Sequence, residues 1–164
     1  MNISNKMRRA GIVRIVSAPK WRAPVLITAM VLLLVVAGIV GAVNPSRQTT
    51  ILDFRGQQRT LLVAQTSQQL ETGLGGRASL PLNEGMLFIF DTPAVQCFWM
   101  KDMHFPLDII WLNASKEVIY IQPDVSPNTY PQSFCPPFPA QYVIELNNGQ
   151  VRTLGLVVGN RLEF

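Results

Sequence analysis

The sequence predicts a mainly β (α+β) domain, a small β-sandwich or barrel carrying two short helices, preceded by one N-terminal transmembrane helix. Three observations carry this reading. Short apolar runs divided by closely spaced turn signals mark many strands. Helix-type patterning outside the N-terminal region is confined to two short stretches, one after Ala64 and one after Leu146. An uncharged run of 21 residues, from Ala23 to Val43, stands ahead of all of them.

The N-terminal run comes first. A helix of this length spans roughly 30 Å, the hydrocarbon thickness of a bilayer. Pro24 falls in its first turn, where a missing N–H costs nothing, and Asn44-Pro45-Ser46 stops it. Lys6, Arg8, Arg9, Arg14, Lys20 and Arg22 precede the run without an acidic residue, and only Arg47 follows closely. The positive-inside rule therefore places the N-terminus in the cytoplasm and the rest of the chain outside. The organisation expected is a basic cytoplasmic tail at 1–22, a membrane anchor at 23–43, a linker at 44–48 and an extracytoplasmic domain at 49–164. A cleavable signal peptide, cut near Ala42, is the competing reading. Against it stand an apolar run longer than the usual 7–15 residues or so and a leading segment of more than about twenty.

Charge divides along the same boundary. The chain carries 14 Lys+Arg and 10 Asp+Glu. Six of the basic residues precede the apolar run, so residues 44–164 hold eight against ten, a net −2. The basic tail suits anionic lipid headgroups, at about 1 kcal/mol per charge. The mildly acidic domain excludes nucleic acid as a partner.

Within the domain, residues 51–54 and 60–64 read as strands joined around Arg55-Gly56-Gln57-Gln58. Thr66-Ser67-Gln68-Gln69 fits a capping box, and Gly75-Gly76 ends the short helix it starts. Residues 86–90 form a continuous apolar run, a strand buried on both faces. Residues 95–101 alternate, with Cys97, Trp99 and Lys101 on one side and Gln96, Phe98 and Met100 on the other. Further strands fall at 108–112, 117–121 and 142–146, followed by a short helix or turn at 147–156. Residues 161–164 close the sheet.

Cys97 and Cys135 are the only cysteines. In an exported domain they are expected to form a disulfide, worth about 4 kcal/mol in the chain-entropy model. The bridge would pin residues 123–139, which contain six prolines and cannot supply a ladder of their own. A catalytic Cys97 with His104 as base is the alternative, though no orienting residue is evident for it.

Several runs now carry a family likeness. Gly73-Leu74, Arg77 and Leu80 lead into Glu84-Gly85-Met86-Leu87-Phe88-Ile89-Phe90. Phe98-Trp99-Met100-Lys101-Asp102 is followed by Pro106-Leu107-Asp108-Ile109. Then come Pro139-Ala140-Gln141-Tyr142-Val143-Ile144-Glu145-Leu146, Asn148-Gly149 and Val158-Gly159-Asn160-Arg161-Leu162-Glu163-Phe164. In this order and spacing, over residues 59–164, they resemble the DUF192 (UPF0127) family. Gly75 stands where that pattern usually has Met, and Asp102 where it commonly has Asn. The resemblance implies a mainly β fold, frequently exported behind a signal or anchor, and no activity.

Among polar residues, Lys101 and Asp108 flank one tight turn. The plain reading is an ion pair, worth about 0–1 kcal/mol if exposed. The functional reading places Trp99, Lys101 and Asp108 in a pocket for an anionic or sugar-like ligand, with Glu145 and Arg77 as further candidates. Glu145 is an acid inside an apolar strand and needs a partner if it faces inward, with Lys101, Arg77 or Arg152 available. Asp102, His104, Asp108 and Glu145 are too few and too dispersed for a metal site, and no cofactor is implied. The expected function is a membrane-anchored binding or accessory module for a cell-envelope ligand or protein. The alternative is an envelope hydrolase using Asp108, Glu145 and Lys101.

Overall fold

The computed structural model describes residues 48–164, which fall within one compact unit beginning at Ser46. The expected tail and anchor, and the linker up to residue 47, lie outside the described residues. Among the described residues no helix is long and apolar enough to cross a membrane.

Strands β1 (Thr49–Phe54) and β2 (Gln57–Ala64) form an antiparallel hairpin. Arg55 and Gly56 turn it with φ of 55° and 79°, the left-handed pair that matches strand twist. The Gly56 N–H donates to Asp53 Oδ1 at 3.0 Å. The capping box is present as expected: Gln69 N–H donates to Thr66 Oγ1, Gln69 Oε1 accepts from the Thr66 N–H, and helix α1 (Ser67–Thr72) begins there. Gly73 ends α1 with φ 52°. The chain then returns along β3 (Glu84–Ala94), parallel to β2.

Strand β4 (Phe98–Trp99) pairs only with β7 (Ser133–Phe134). The main sheet continues with β5 (Leu107–Leu112), β6 (Val118–Val125) and β8 (Ala140–Asn147), in the order β1-β2-β3-β8-β5-β6. Helix α2 (Gln150–Leu154) follows β8. The sandwich or barrel expectation is therefore corrected. One open, mixed six-stranded sheet replaces it, because the α1 connection sets β3 parallel to β2 instead of folding back as another hairpin. The closing strand expected at 161–164 is reduced to two isolated bridges, Asp53–Glu163 and Glu117–Arg161. The strand expected at 95–101 shrinks to two paired residues, yet its alternation survives in burial. Cys97, Trp99 and Lys101 are exposed, and Met100 is buried.

Both faces of the sheet are covered, so β5 is buried at every position. One core contains Leu61, Leu87, Ile110, Ile144 and Leu146, closed by Leu154 and Leu162. The other contains Met86, Phe88, Ile109, Trp111 and Val143, closed by Leu74 and Met100. Successive residues of each strand enter opposite cores, the period-2 rule. Gly85 is obligatory between them: a Cβ there would lie 2.6 Å from Leu146 Cδ2 and 2.7 Å from the Glu145 carbonyl.

Cys97 and Cys135 lie at disulfide distance, across 38 residues, and no free cysteine remains. The catalytic-thiol alternative falls with that pairing. The bridge sits beside the β4–β7 pair and fastens the proline-rich segment to it.

Candidate functional site

Two buried acids occupy neighbouring positions on the central strands. Asp108 on β5 stands opposite Leu146 of β8, and Ile109 stands opposite Glu145. Directly opposed residues share a face, so Asp108 and Glu145 point into opposite cores. That geometry separates two of the three residues that the hydrolase alternative requires.

Asp108 is 1% exposed and fully satisfied. Its Oδ1 accepts from the Asp124 N–H at 3.0 Å and its Oδ2 from the Val151 N–H at 2.9 Å. One carboxylate thereby ties the end of β6, where Asp124 has φ 57°, to the first turn of α2. The expected Lys101–Asp108 ion pair is corrected. Asp108 spends both oxygens on backbone donors, while Lys101 is exposed with Nζ 6.0 Å from the Trp99 ring centroid. Asp108 borders a separate cavity with Asp124, Asn148 and Arg152.

Glu145 is the contrasting case. It is 5% exposed, its Oε2 is buried without a hydrogen-bond partner among the described residues, and it borders an open cavity of about 450 Å³. Met86 and Ile109 flank it across the ladders, and neither can donate. Burial alone pushes its carboxyl up from the ordinary 4.5 to about 8, because an ion in apolar surroundings loses its hydration. At neutral pH the group is mostly a carboxylic acid.

Three segments wall this cavity. Phe88 and Phe90 come from β3, with Phe88 and Phe98 in edge-to-face contact at 4.9 Å. Trp99, Lys101 and Asp102 come from β4 and the turn after it. The stretch from Leu70 to Gly76 supplies the third side, stitched to the second by the Gly76 N–H donating to the Asp102 carbonyl at 2.8 Å. Gly75 packs against that seam: a Cβ would lie 3.0 Å from the Thr72 carbonyl and 3.4 Å from the Lys101 carbonyl. Behind the wall, the indole N–H of buried Trp111 donates to the Gln96 carbonyl at 2.7 Å, holding the chain just before Cys97.

Of the sequence candidates, Trp99, Lys101 and Glu145 meet at this cavity. Asp108 lies on the other face of the sheet, and Arg77 borders a smaller cavity with Met86 and Gln69. His104 is exposed and lines none of these three cavities. The set Asp102, His104, Asp108 and Glu145 does not converge, since its two buried members face apart. Sequence reading missed the contribution of Gly73–Gly76 and Phe90. Consecutive glycines were read as a helix stop, though their small size is also what lets the backbone border a cavity.

The structure is thus a small, mainly β domain on an open mixed sheet, with an aromatic-lined cavity bordered by one buried acid. A model of the DUF192 family, described as Uncharacterized ACR, matches residues 50–164. The chain belongs to that family. Among solved structures it is similar to a Sinorhizobium meliloti 1021 protein described as a candidate transcription regulator. The two are 30% identical with a TM-score of 0.64, over 69% of this chain and 89% of that one. It is also similar to a protein of unknown function from Novosphingobium aromaticivorans DSM 12444. There the identity is 29% and the TM-score 0.66, over 75% of this chain and 91% of that one. No curated protein matches the chain.

Proposed function

We propose that this protein is a membrane-anchored, extracytoplasmic binding module that holds a small ligand of the cell envelope in the Glu145 cavity. The observation that carries the reading is Glu145 itself. A buried carboxyl oxygen without a partner costs about 1–3 kcal/mol, and here the cost falls at the floor of an open, aromatic-walled cavity. An acid needed only for the fold would be satisfied, as Asp108 is. The uncharged run at 23–43, the six basic residues before it and the Cys97–Cys135 pair support the envelope location.

A role in transcription regulation, the wording attached to the Sinorhizobium neighbour, gains no support here if it requires DNA contact, because residues 44–164 carry a net −2. The hydrolase alternative needs Asp108, Glu145 and Lys101 in one place, and the opposed faces of the two acids speak against it.

The test is a thermal-shift screen of small molecules on the full-length chain in detergent, repeated on Glu145→Gln and Lys101→Ala. Compounds that stabilise the wild type and lose their effect in Glu145→Gln are expected. If every stabilising compound acts equally on Glu145→Gln, the cavity is not the binding site. For location, a reporter active only outside the cytoplasm, fused after Phe164, should be active. A silent reporter at normal expression contradicts the orientation.

A further inference from the structure

We propose that the cavity accepts an organic cation, a primary ammonium or a guanidinium group, seated against Glu145 and between the aromatic rings. This rests on the binding reading above and names the ligand class for the same site.

The charged side chains bordering the cavity are Glu71, Lys101, Asp102 and Glu145. Three are acidic and one is basic. The basic one, Lys101, is exposed and lies toward the face of Trp99, itself 49% exposed. The floor therefore lacks positive charge, and an anionic ligand would meet an acidic surround. The positions directly opposite Glu145 on the flanking strands, Met86 and Ile109, are not titratable, and Asp108 of β5 faces the other core. Phe88, Phe90, Phe98 and the half-exposed Trp99 line the cavity, and a cation over an aromatic face gains about 0.5–2 kcal/mol from the ring quadrupole. Among the described residues Oε2 has no hydrogen-bond partner, and the directly opposed Met86 and Ile109 bring no counter-charge. An ammonium or guanidinium group supplies the two together. A volume of about 450 Å³ is in the range of small-molecule sites.

The pairing has a proton signature. Glu145 must ionise to meet the cation, so binding releases one proton at neutral pH. Affinity rises about tenfold per pH unit below the group's pKa and levels off above about pH 8. Glu71, Asp102 and Lys101 also border the cavity, and Lys101 opposes the ligand. Removing Lys101 should tighten cation binding by a few fold, whereas it would weaken binding of an anion.

The experiment is calorimetric titration of the full-length chain in detergent with n-butylamine and agmatine, with butyramide and butyrate as neutral and anionic controls, at pH 6, 7 and 8. The amines are expected to bind, more tightly as pH rises, with release of close to one proton at pH 6 falling to about half a proton at pH 8. They should bind at least tenfold more weakly to Glu145→Gln and no more weakly to Lys101→Ala. Circular dichroism confirms that each variant is folded, and Glu145→Leu replaces Glu145→Gln if the latter is not. If butyramide or butyrate binds in a Glu145-dependent way and the amines do not, the cation assignment is overturned and the binding module stands. If none of the four binds, and no compound of the wider screen depends on Glu145, both fall.

Discussion

Asp108 and Glu145 sit one ladder position apart on adjoining strands, both almost fully buried, and they do opposite things. Asp108 receives two backbone N–H groups and so fastens α2 to the end of β6. Glu145 receives no bond at Oε2 and is held as an acid by burial. Burial is common to both, so burial alone does not distinguish them. What separates them is whether the fold satisfies the charge. A carboxylate that organises backbone donors stabilises its surroundings. One left without donors is a cost that the rest of the sheet offsets, and it is retained beside open space.

The largest expected effect probes the wall of the Glu145 side. Replacing Cys97 and Cys135 together with Ser should lower stability by about 4 kcal/mol. Water entering through the loosened segment should also bring the Glu145 carboxyl back toward its ordinary value, seen as a lower midpoint in its NMR titration. Loss of stability with the carboxyl unmoved would show that the disulfide does not shape the cavity.

Next is Asp108→Ala, which orphans the N–H groups of Asp124 and Val151. Denaturant unfolding should report a loss of about 3 kcal/mol, with amine binding at Glu145 retained in the folded fraction. A variant as stable as the wild type would remove Asp108 as a latch.

Glu145→Gln tests the other half through pH. The folded-state carboxyl keeps its proton up to about pH 8, while the unfolded chain gives it up near 4.5. Between those values the folded state binds more protons, so stability falls as pH rises. The contribution is fully present below the window and fully lost above it. The stability difference between Glu145→Gln and wild type should therefore shift in favour of Gln by up to about 1.4 kcal/mol per pH unit across that window. A difference that stays flat with pH would mean that Glu145 is ionised throughout.

The smallest effect concerns the rim. Asp102 has φ 57°, a left-handed conformation that Asn and Asp tolerate best. That explains why Asp can stand where the family commonly has Asn. Asp102→Asn should change stability by only a few tenths of a kcal/mol. Because it removes one acidic group, it should also weaken amine binding slightly. A loss above about 1 kcal/mol would reveal a contact of the carboxylate that the backbone argument omits.

Much of this was legible in the chain. Apolar runs located β1, β2, β3, β5, β6 and β8, the Thr66–Gln69 box started α1, and the Cys97–Cys135 pair follows from count and context. Glu145 announced itself as an acid within Ile144 and Leu146. Strand order was not legible, because whether β3 runs parallel or antiparallel to β2 depends on tertiary packing of a short helix. The separation of Asp108 from Lys101 and Glu145 was hidden for the same reason. Face assignment needs the register between β5 and β8, and a shift of one residue would reverse it. The satisfied state of Asp108 depends on N–H groups 16 and 43 residues away.

The central claim is that Glu145 stands buried, unpaired and protonated at neutral pH. Carbon-detected NMR of the glutamate carboxyls in the full-length chain, assigned with Glu145→Gln, measures it directly. The titration midpoint should lie near 8. A midpoint near the ordinary 4.5 would mean that Glu145 is solvated or paired, and the contrast with Asp108 would collapse.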